Sequence, residues 1–334
     1  MLCLVTEKLI MKNYNHFISV VIPIYNEEEN LPLLTERLVN VLSQYSKFEV
    51  IYVDDGSKDR STQLIKEHSQ KHPQIKLIKL SRNFGHQEAI TAGLNYASGD
   101  AVIVMDGDLQ DPPEVLPQFV DKWQEGYDVV YAIREKRKEN FLKKFAYYCF
   151  YRLLRYLASI DIPLDSGDFS LMDRKVVKLL NQIPEKNRFV RGIRSWLGFR
   201  QVGLAYERQA RHAGVPKYTI TKLFLLAYNG LTSFSTKPVK VASQIGMFFT
   251  FISFLGMMWI LYHKLVLQTE VIQGWASTIF VVFFMSGVQL IIMGIQGEYI
   301  GRIFNEVKNR PNFIVGESIG FDEQKQKSEE RDVA

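Results

Sequence analysis

The segment "AVIVMDGDLQDPP", residues 101–113, joins an apolar run ending at Met105 to three carboxylates, Asp106, Asp108 and Asp111. Four other short apolar runs rich in β-branched residues alternate with helix-like segments: FISVVIPIY (17–25), FEVIYV (48–53), IKLIKL (75–80) and YDVVYA (127–132). This rhythm predicts an α/β domain with a doubly wound, mostly parallel sheet. Such sheets bind ligands at the carboxyl ends of their strands. Polar clusters follow four consecutive runs here, which predicts one shared site.

Length and composition indicate a folded protein of about two domains. The chain has 334 residues, of which 47% are hydrophobic, and a formal net charge of +5. So mild a charge gives little global attraction to phosphates, and no nucleic acid partner is expected. The two cysteines, Cys3 and Cys149, form no C-x-x-C pair, which argues against a disulfide framework or a thiolate zinc site. Residues 1–16 form an N-terminal extension that makes a poor signal peptide.

Two segments without Asp, Glu, Lys or Arg, 241–262 and 275–297, predict two transmembrane helices. Each exceeds the roughly 20 residues that span a bilayer. The loop between them, 263–274, has one Lys and one Glu, whereas several Lys and Arg residues flank the pair on its outer sides. This bias predicts an integral protein of the cytoplasmic membrane, with both termini and the α/β domain in the cytoplasm. The alternative, a buried helical hairpin, would need another domain around it.

The remaining boundaries follow from the same pattern. Residues 17–210 are assigned to the cytoplasmic domain and residues 298–334 to a cytoplasmic tail. Residues 140–158 mix aromatic and leucine side chains with basic ones, which is typical of a helix lying in the headgroup plane. Residues 211–240 have five Lys or Arg and no Asp or Glu, which favours an anionic membrane surface. The alternative is an ordinary amphipathic helix covering the sheet.

The Asp106-Gly107-Asp108 turn indicates a divalent cation site. Two hard oxygen ligands together with a diphosphate suit Mg²⁺ or Mn²⁺. Asp54 and Asp55 follow the neighbouring run, and carboxylates crowded at one rim repel unless a cation or hydroxyl donors accompany them. The G-x-G-x-x-G turn of a dinucleotide-binding fold and the P-loop pattern are both absent from this chain.

Four segments in register carry a resemblance to a known family: "VVIPIYNEEENL", "VDDGSKDRS", "LSRNFGHQEAITAGLNYASGD" and "VMDGDLQDPPE". Together they resemble the nucleotide-sugar-binding domain of family 2 (GT-A) glycosyltransferases. The resemblance is greatest for the polyprenyl-phosphate branch, which includes dolichol-phosphate mannose synthases and bacterial undecaprenyl-phosphate glucosyltransferases. It extends over about residues 17–313.

The resemblance implies a set of donor-site residues. Those implied to bind the nucleotide sugar are Pro23, Tyr25, Glu27, Asp55, Asn83, His86, Asp106, Gly107 and Asp108. Those implied to hold the metal are Asp106, Asp108 and Gln110. Asp111 is interpreted as a turn residue before a helix that begins at Pro112 and Pro113.

It also implies an acceptor site. Asp168 is the candidate base or acceptor-orienting carboxylate, with Asp165 second, and the alternative is that either residue caps a helix near Arg174. Catalytic roles are further implied for Asp108 and Arg134. The residues implied to bind the acceptor phosphate are Arg134, Arg211 and Lys217. Pro216 departs from the family's R-x-x-G-x-S-K-Y pattern, where Ser is usual.

These implications lead to one function with open alternatives. The expected reaction is an inverting transfer of a hexose, with UDP-glucose the favoured donor, to polyprenyl (undecaprenyl) phosphate at the membrane. GDP-mannose is the alternative donor. A processive polysaccharide synthase and an inactive membrane-interaction module are alternatives of other classes, although "RGIRSW" at 191–196 only half resembles the Q-x-x-R-W run of the former. A homo-oligomer is left open.

Overall fold

The computed structural model describes the ranges 15–135, 166–186, 188–207 and 274–321 and several short stretches between 244 and 266. The described residues fall into two compact units. One contains those before residue 208 together with 311–321, and the other contains those from 244 to 310. The predicted interfacial segments 140–158 and 211–240 lie outside the described residues, as do Asp165, Arg211, Pro216, Lys217 and the side chain of Arg134.

Among the described residues, eight strands form one mixed sheet in the first unit. They are β1 (Phe17–Ile24), β2 (Lys47–Asp54), β3 (Ile75–Leu80), β4 (Ala101–Val104), β5 (Val129–Glu135), β6 (Ser166–Asp173), β7 (Gln201–Glu207) and β8 (Val315–Ile319). Their order across the sheet is β7-β5-β6-β4-β1-β2-β3-β8. The helices of this unit are α1 (Leu31–Leu42), α2 (Ser61–Lys71), α3 (His86–Tyr96), α4 (Leu116–Gln124), α5 (Arg174–Gln182) and α6 (Val190–Trp196).

The centre of the sheet confirms the predicted parallel arrangement. β1 pairs in parallel with both β2 and β4, and β2 pairs in parallel with β3. The carboxyl ends of these four strands therefore meet at one edge, where the sequence has its polar clusters. All five predicted apolar runs are strands.

The sheet is mixed but mostly parallel, as predicted, because only β6 and β8 run against the other six described strands. β6 lies between β4 and β5 and pairs antiparallel with both, and β8 pairs antiparallel with the edge strand β3. β8 belongs to the region assigned to a tail, so part of that tail completes the sheet. The order of apolar runs along a chain does not encode such pairings, because they join segments far apart in sequence.

Strand β1 shows why the apolar runs become central strands. The side chains of Ile18 and Ile22 are fully buried in a cluster with Leu38 of α1. Val21 lies on the opposite face, since side chains alternate along a strand, and a Cβ on Gly93 of α3 would be 2.2 Å from its Cγ1. Helices cover both faces, so the run is continuously apolar rather than alternating.

The second unit contains α7 (Trp275–Val307), which continues past the predicted boundary at residue 297. Many of its large apolar side chains are exposed, among them Leu290, Ile291 and Met293. Within the part of the chain that the structure describes, no helix combines the length and the hydropathy needed to cross a membrane. The two transmembrane helices at 241–262 and 275–297 stay predictions.

Candidate active site

Hydrogen bonds from backbone N–H groups to side-chain oxygens fix the loop after β1 against the loop after β2. Asn26 adopts a positive φ of 53°. Its N–H donates to Ser57 Oγ at 3.0 Å, and its Oδ1 accepts from the N–H of Lys58 at 2.8 Å. The carboxylate of Glu27 accepts from Asn30 Nδ2 at 2.7 Å. The two polar clusters therefore form one continuous rim.

The adjacent carboxylates Asp54 and Asp55 have separate roles. Asp54 Oδ1 accepts from the N–H of Ser57 at 2.8 Å and closes the turn after β2. Asp55 reaches the loop after β3, where Oδ1 accepts from the N–H of Phe84 at 2.7 Å and Oδ2 from the N–H of Gly85 at 3.0 Å. Burial raises the pKa of the Asp55 carboxyl, and the two N–H donors oppose that rise. Asp55 therefore shapes the loop before α3, and its contact with base or ribose stays a prediction.

Gly56 allows these two loops to approach each other. Its φ is +73°, and a Cβ there would lie 2.7 Å from the backbone nitrogen of Asn83. The side chain of Asn83 in turn donates from Nδ2 to the carbonyl oxygen of Asp55 at 3.1 Å. Only glycine satisfies both the backbone conformation and the close contact.

Asp106 and Asp108 follow β4 at the same edge. Gly107 between them packs against β1, since a Cβ there would lie 2.5 Å from Ile24 Cδ1. Asp108 is 7% exposed, and its Oδ1 accepts from the N–H of Gln110 at 3.2 Å. Two carboxylates therefore lie at the edge of the sheet where β1 to β4 end, and their roles stay predictions.

Asp111 is a tertiary anchor rather than only a turn residue. It is fully buried, and its Oδ1 accepts a hydrogen bond from the hydroxyl of Tyr206 in β7. A 3-10 turn at Pro113–Val115 then precedes α4, so the helix begins later than the Pro112 and Pro113 of the prediction. The third carboxylate of the opening segment thus joins the loop to the far side of the sheet.

His86, the first residue of α3, lies between two carboxylates. Its Nε2 is 3.6 Å from Asp106 Oδ1 and 3.4 Å from Asp168 Oδ2. Burial lowers the pKa of His86, but the contact with Asp168 and the charges of Asp106, Asp168 and Asp55 outweigh it and raise the pKa to about 9. The imidazole is therefore a cation at neutral pH and links the carboxylates after β4 to those on β6.

Asp168 lies within β6 and does not cap a helix. The N-cap of α5 is Asp173, whose side chain accepts from the N–H of Lys175 at 2.9 Å. Burial would raise the pKa of Asp168, but His86 and the cations Arg191 and Arg194 hold it well below its usual range. Asp168 is therefore ionised across the physiological pH range.

Comparison with known proteins identifies the family. Residues 19–180 match the model of glycosyl transferase family 2. A Bacillus subtilis relative named "Uncharacterized glycosyltransferase YkcC" is 49% identical over 91% of this chain and 94% of its own length. The chain belongs to glycosyl transferase family 2. It is therefore a transferase of glycosyl groups.

Two further similarities place this family 2 glycosyl transferase among named proteins. The SfII prophage-derived bactoprenol glucosyl transferase of Shigella flexneri is 43% identical over 90% of this chain and 98% of its own length. The solved structure of glucosyl-3-phosphoglycerate synthase from Mycobacterium tuberculosis matches with a TM-score of 0.44 and 17% identity, over 65% of this chain and 76% of that chain. Such a remote structural likeness leaves the family assignment resting on the sequences.

The carboxylates after β4 fit a cation that is shared with a substrate. Among the described residues, no group of three or more His, Cys, Asp or Glu side chains is arranged to hold a metal by itself. Mg²⁺ needs only one or two protein carboxylates where substrate phosphates supply further oxygens. Asp106 and Asp108 satisfy that requirement, and a role for Gln110 stays a prediction.

Other predicted residues have known positions but untested roles. Pro23 is buried in β1, and Tyr25 just beyond it is 37% exposed at the rim. Arg134 belongs to β5, next to β6 in the sheet.

Three residues of the transferase site were missed by the sequence reasoning: Gln87, Arg191 and Arg194. Gln87 Nε2 donates to Asp168 Oδ2 at 3.0 Å, and the positive charges of both arginines lower the pKa of Asp168. The only sequence signal for the two arginines is the RGIRSW segment at 191–196, which half resembles the Q-x-x-R-W run of processive synthases.

Proposed function

We propose that this transferase moves glucose from UDP-glucose to the phosphate of a polyprenyl lipid, with inversion at the anomeric carbon and with bound Mg²⁺ or Mn²⁺. The observation that carries the proposal is its 43% identity to a bactoprenol glucosyl transferase over 98% of that relative's length. A second one, from Shigella phage SfV, is 42% identical over 97% of its length. Similarity along whole chains supports the same donor and acceptor classes.

The site geometry supports two facing halves. The donor side comprises the loops after β1 to β4, including Asp106 and Asp108. The acceptor side comprises Asp168, the α3 residues His86 and Gln87 that contact it, and the α6 cations that lower its pKa. His86 lies within 3.6 Å of a carboxylate on each side, so groups bound to the two sides would be neighbours. Holding two reactants in such proximity is itself a major source of rate.

The proposed step is a single displacement. An oxygen of the acceptor phosphate forms a bond to the anomeric carbon as the bond from that carbon to the β-phosphate oxygen breaks, and UDP leaves with the electron pair. A bound divalent cation would stabilise the charge on the leaving diphosphate. Asp106 and Asp108 would hold that cation, and the basic residues Arg134, Arg211 and Lys217 would bind the acceptor phosphate.

Asp168 orients the acceptor side and does not take a proton in this proposal. A phosphate monoester with a second pKa of about 6 is mostly a dianion at neutral pH and needs no base. The pKa of Asp168 lies well below its usual range because of His86, Arg191 and Arg194, which makes it a weak proton acceptor. Asp168→Asn should therefore cost less activity than Asp108→Asn.

The proposal includes attachment to the cytoplasmic membrane, with the transferase unit and both termini in the cytoplasm. Residues 241–262 and 275–297 contain no Asp, Glu, Lys or Arg, and the described part of α7 exposes large apolar side chains. The positive charge outside the two segments supports the orientation. Alkaline carbonate extraction of membranes tests attachment, since an integral protein stays in the pellet.

The experiment is a donor screen with the full-length protein in detergent. UDP-glucose, UDP-galactose and GDP-mannose are each incubated with undecaprenyl phosphate, with Mn²⁺ or Mg²⁺ and with EDTA. We expect a glucosyl lipid from UDP-glucose only, lost with EDTA and restored by added metal. Mannosyl lipid from GDP-mannose would establish the alternative donor, a polymeric product would indicate a processive synthase, and failure to bind any nucleotide sugar would indicate an inactive module.

A further inference from the structure

The side chain of Gln87 connects the acceptor side of the site through both ends of its amide. Its Nε2 donates to Asp168 Oδ2 at 3.0 Å, and its Oε1 accepts from the N–H of Val190 at 2.9 Å. We propose that Gln87 is a positioning residue, which sets the orientation of the Asp168 carboxylate and ties it to the start of α6. The inference rests on the proposed function, in which Asp168 faces the acceptor.

An amide is required at this position because one end must donate a hydrogen bond and the other must accept one. One partner is a carboxylate, which can only accept, and the other is a backbone N–H, which can only donate. Glutamate at this position would keep the bond to Val190 but lose the donor and place a second negative charge beside Asp168. The backbone of Gln87 is itself anchored in α3, where its carbonyl accepts from Thr91 Oγ1 at 2.8 Å.

The contacts of Gln87 fix the orientation of the Asp168 carboxylate. Oδ2 takes the hydrogen bond from Gln87 and lies 3.4 Å from His86 Nε2. Oδ1 is buried and accepts no hydrogen bond from the residues that the structure describes. Rotation of the carboxylate would exchange these two oxygens, and Gln87 opposes that rotation. Gln87 therefore keeps Oδ2, and not Oδ1, on the side of His86.

The bond to Val190 adds a second consequence. α6 begins at Val190 and carries Arg191 and Arg194, the cations that lower the pKa of Asp168. Gln87 thus fixes the helix that brings these charges to Asp168, as well as Asp168 itself. A residue that serves only to pack α3 would have no reason to contact both.

The test compares two variants of Gln87 with a matched control. Gln87→Glu retains the acceptor atom, and Gln87→Met retains the length but neither hydrogen bond. The control is Gln63→Met, at an exposed glutamine whose Nε2 donates to Glu67 at 3.0 Å. Each protein is assayed for kcat, for KM toward undecaprenyl phosphate, for UDP-glucose affinity and for thermal stability.

We expect both Gln87 variants to lose about 10- to 100-fold in kcat, because small displacements at a reacting centre have effects of this size. UDP-glucose affinity should stay within about twofold of the wild type, since the donor side keeps its own hydrogen bonds. Combining Gln87→Glu with Asp168→Asn recreates a hydrogen bond of reversed polarity. This pair should regain thermal stability and not kcat.

Two results would overturn the inference. One is an unchanged kcat in Gln87→Met, and the other is an equal loss of kcat and donor affinity, which would indicate damage to the fold. Hydrogen exchange at the amide of Val190 gives a readout independent of activity, and it should speed up in Gln87→Met and not in Gln63→Met. Absence of glucosyl transfer by the wild type would contradict the proposed function, whereas unchanged Val190 exchange would contradict the role of Gln87.

Discussion

The donor side and the acceptor side of this glycosyl transferase are held together by different kinds of contact. On the donor side, side-chain oxygens accept from backbone N–H groups, as Asp55 does from Phe84 and Gly85. On the acceptor side, Asp168 is surrounded by the side chains of His86, Gln87 and two arginines. The first arrangement fixes the shape of the loops, whereas the second keeps one carboxylate, Asp168, ionised.

This difference teaches where each side is vulnerable. A loop held through its backbone is damaged by changes in backbone conformation. A carboxylate held by ionisable side chains loses its orientation when one of those charges is removed. Its interactions also change with pH, because the neighbouring His86 can lose its proton. The predictions below test this distinction from the largest expected effect to the smallest.

Asp108→Asn should have the largest effect, a loss of roughly 1000-fold in kcat, because metal stabilisation of a leaving group is worth several kcal/mol. The rate of glucosyl transfer is measured as a function of Mn²⁺ concentration, and the variant should need a higher Mn²⁺ concentration for half of its maximal rate. Glu67→Gln, at an exposed carboxylate on α2, is the control and should behave as the wild type. Full metal-dependent turnover by Asp108→Asn would refute the metal assignment.

Arg194→Met should be the most destabilising change on the acceptor side. Arg194 is 1% exposed, and burial lowers its pKa to about 10, although the charge of Asp168 opposes that shift. The variant removes a buried cation that acts electrostatically on Asp168 and lies over Tyr131 with its guanidinium carbon 5.6 Å from the ring centroid, and we expect a loss of about 1 to 3 kcal/mol. Thermal unfolding in detergent measures the loss. Arg200→Met is the control, since Arg200 is exposed and stacks on Tyr127 with its guanidinium carbon 4.4 Å from the ring centroid.

The same variant should change the response to acid. A depressed pKa means that Asp168 contributes stability above its unfolded pKa of about 3.9, and that this contribution is lost as pH falls through the folded value. Without Arg194 the pKa of folded Asp168 rises, so its contribution to stability should be smaller and should be completely lost at a higher pH. An acid unfolding profile identical to that of the wild type would show that Arg194 does not act on Asp168.

Gly56→Ala should damage the donor side through the backbone alone. The positive φ costs about 1 kcal/mol for alanine, and the Cβ would lie 2.7 Å from Asn83 N. Gly126→Ala is a matched control, because its φ is +94° but its Cβ would meet only Arg200 Nη1 at 3.7 Å. Both should lose stability, and only Gly56→Ala should lose affinity for UDP-glucose in calorimetry. Equal affinities would show that the loop tolerates the displacement.

The two sides also differ in how far sequence predicts them. On the donor side each polar cluster directly follows its own apolar run, so a parallel sheet brings the clusters together without further information. On the acceptor side Gln87 forms hydrogen bonds with Asp168 and Val190, which lie 81 and 103 positions further along the chain. Those contacts depend on β6 inserting antiparallel between β4 and β5, a pairing that no local pattern encodes. Asp168 was found through the family resemblance, and the residues that hold it required the structure.

The smallest predicted effect is the pH dependence that His86 gives to stability. Its folded pKa of about 9 lies above the unfolded value of 6.5, so its contribution is complete below pH 6.5 and is lost as pH rises through 9. The side chain is 39% exposed, and water screens the attraction to about 1 kcal/mol or less. The difference in melting temperature between wild type and His86→Asn should therefore vanish above about pH 9 and shrink in high salt. In an Asp168→Asn background, the difference in melting temperature caused by His86→Asn should become smaller. The control is His72→Asn, just after α2, whose effect on the melting temperature should be the same with and without Asp168→Asn. A His86 difference that persists unchanged at pH 10 would mean that packing, and not charge, holds the acceptor side.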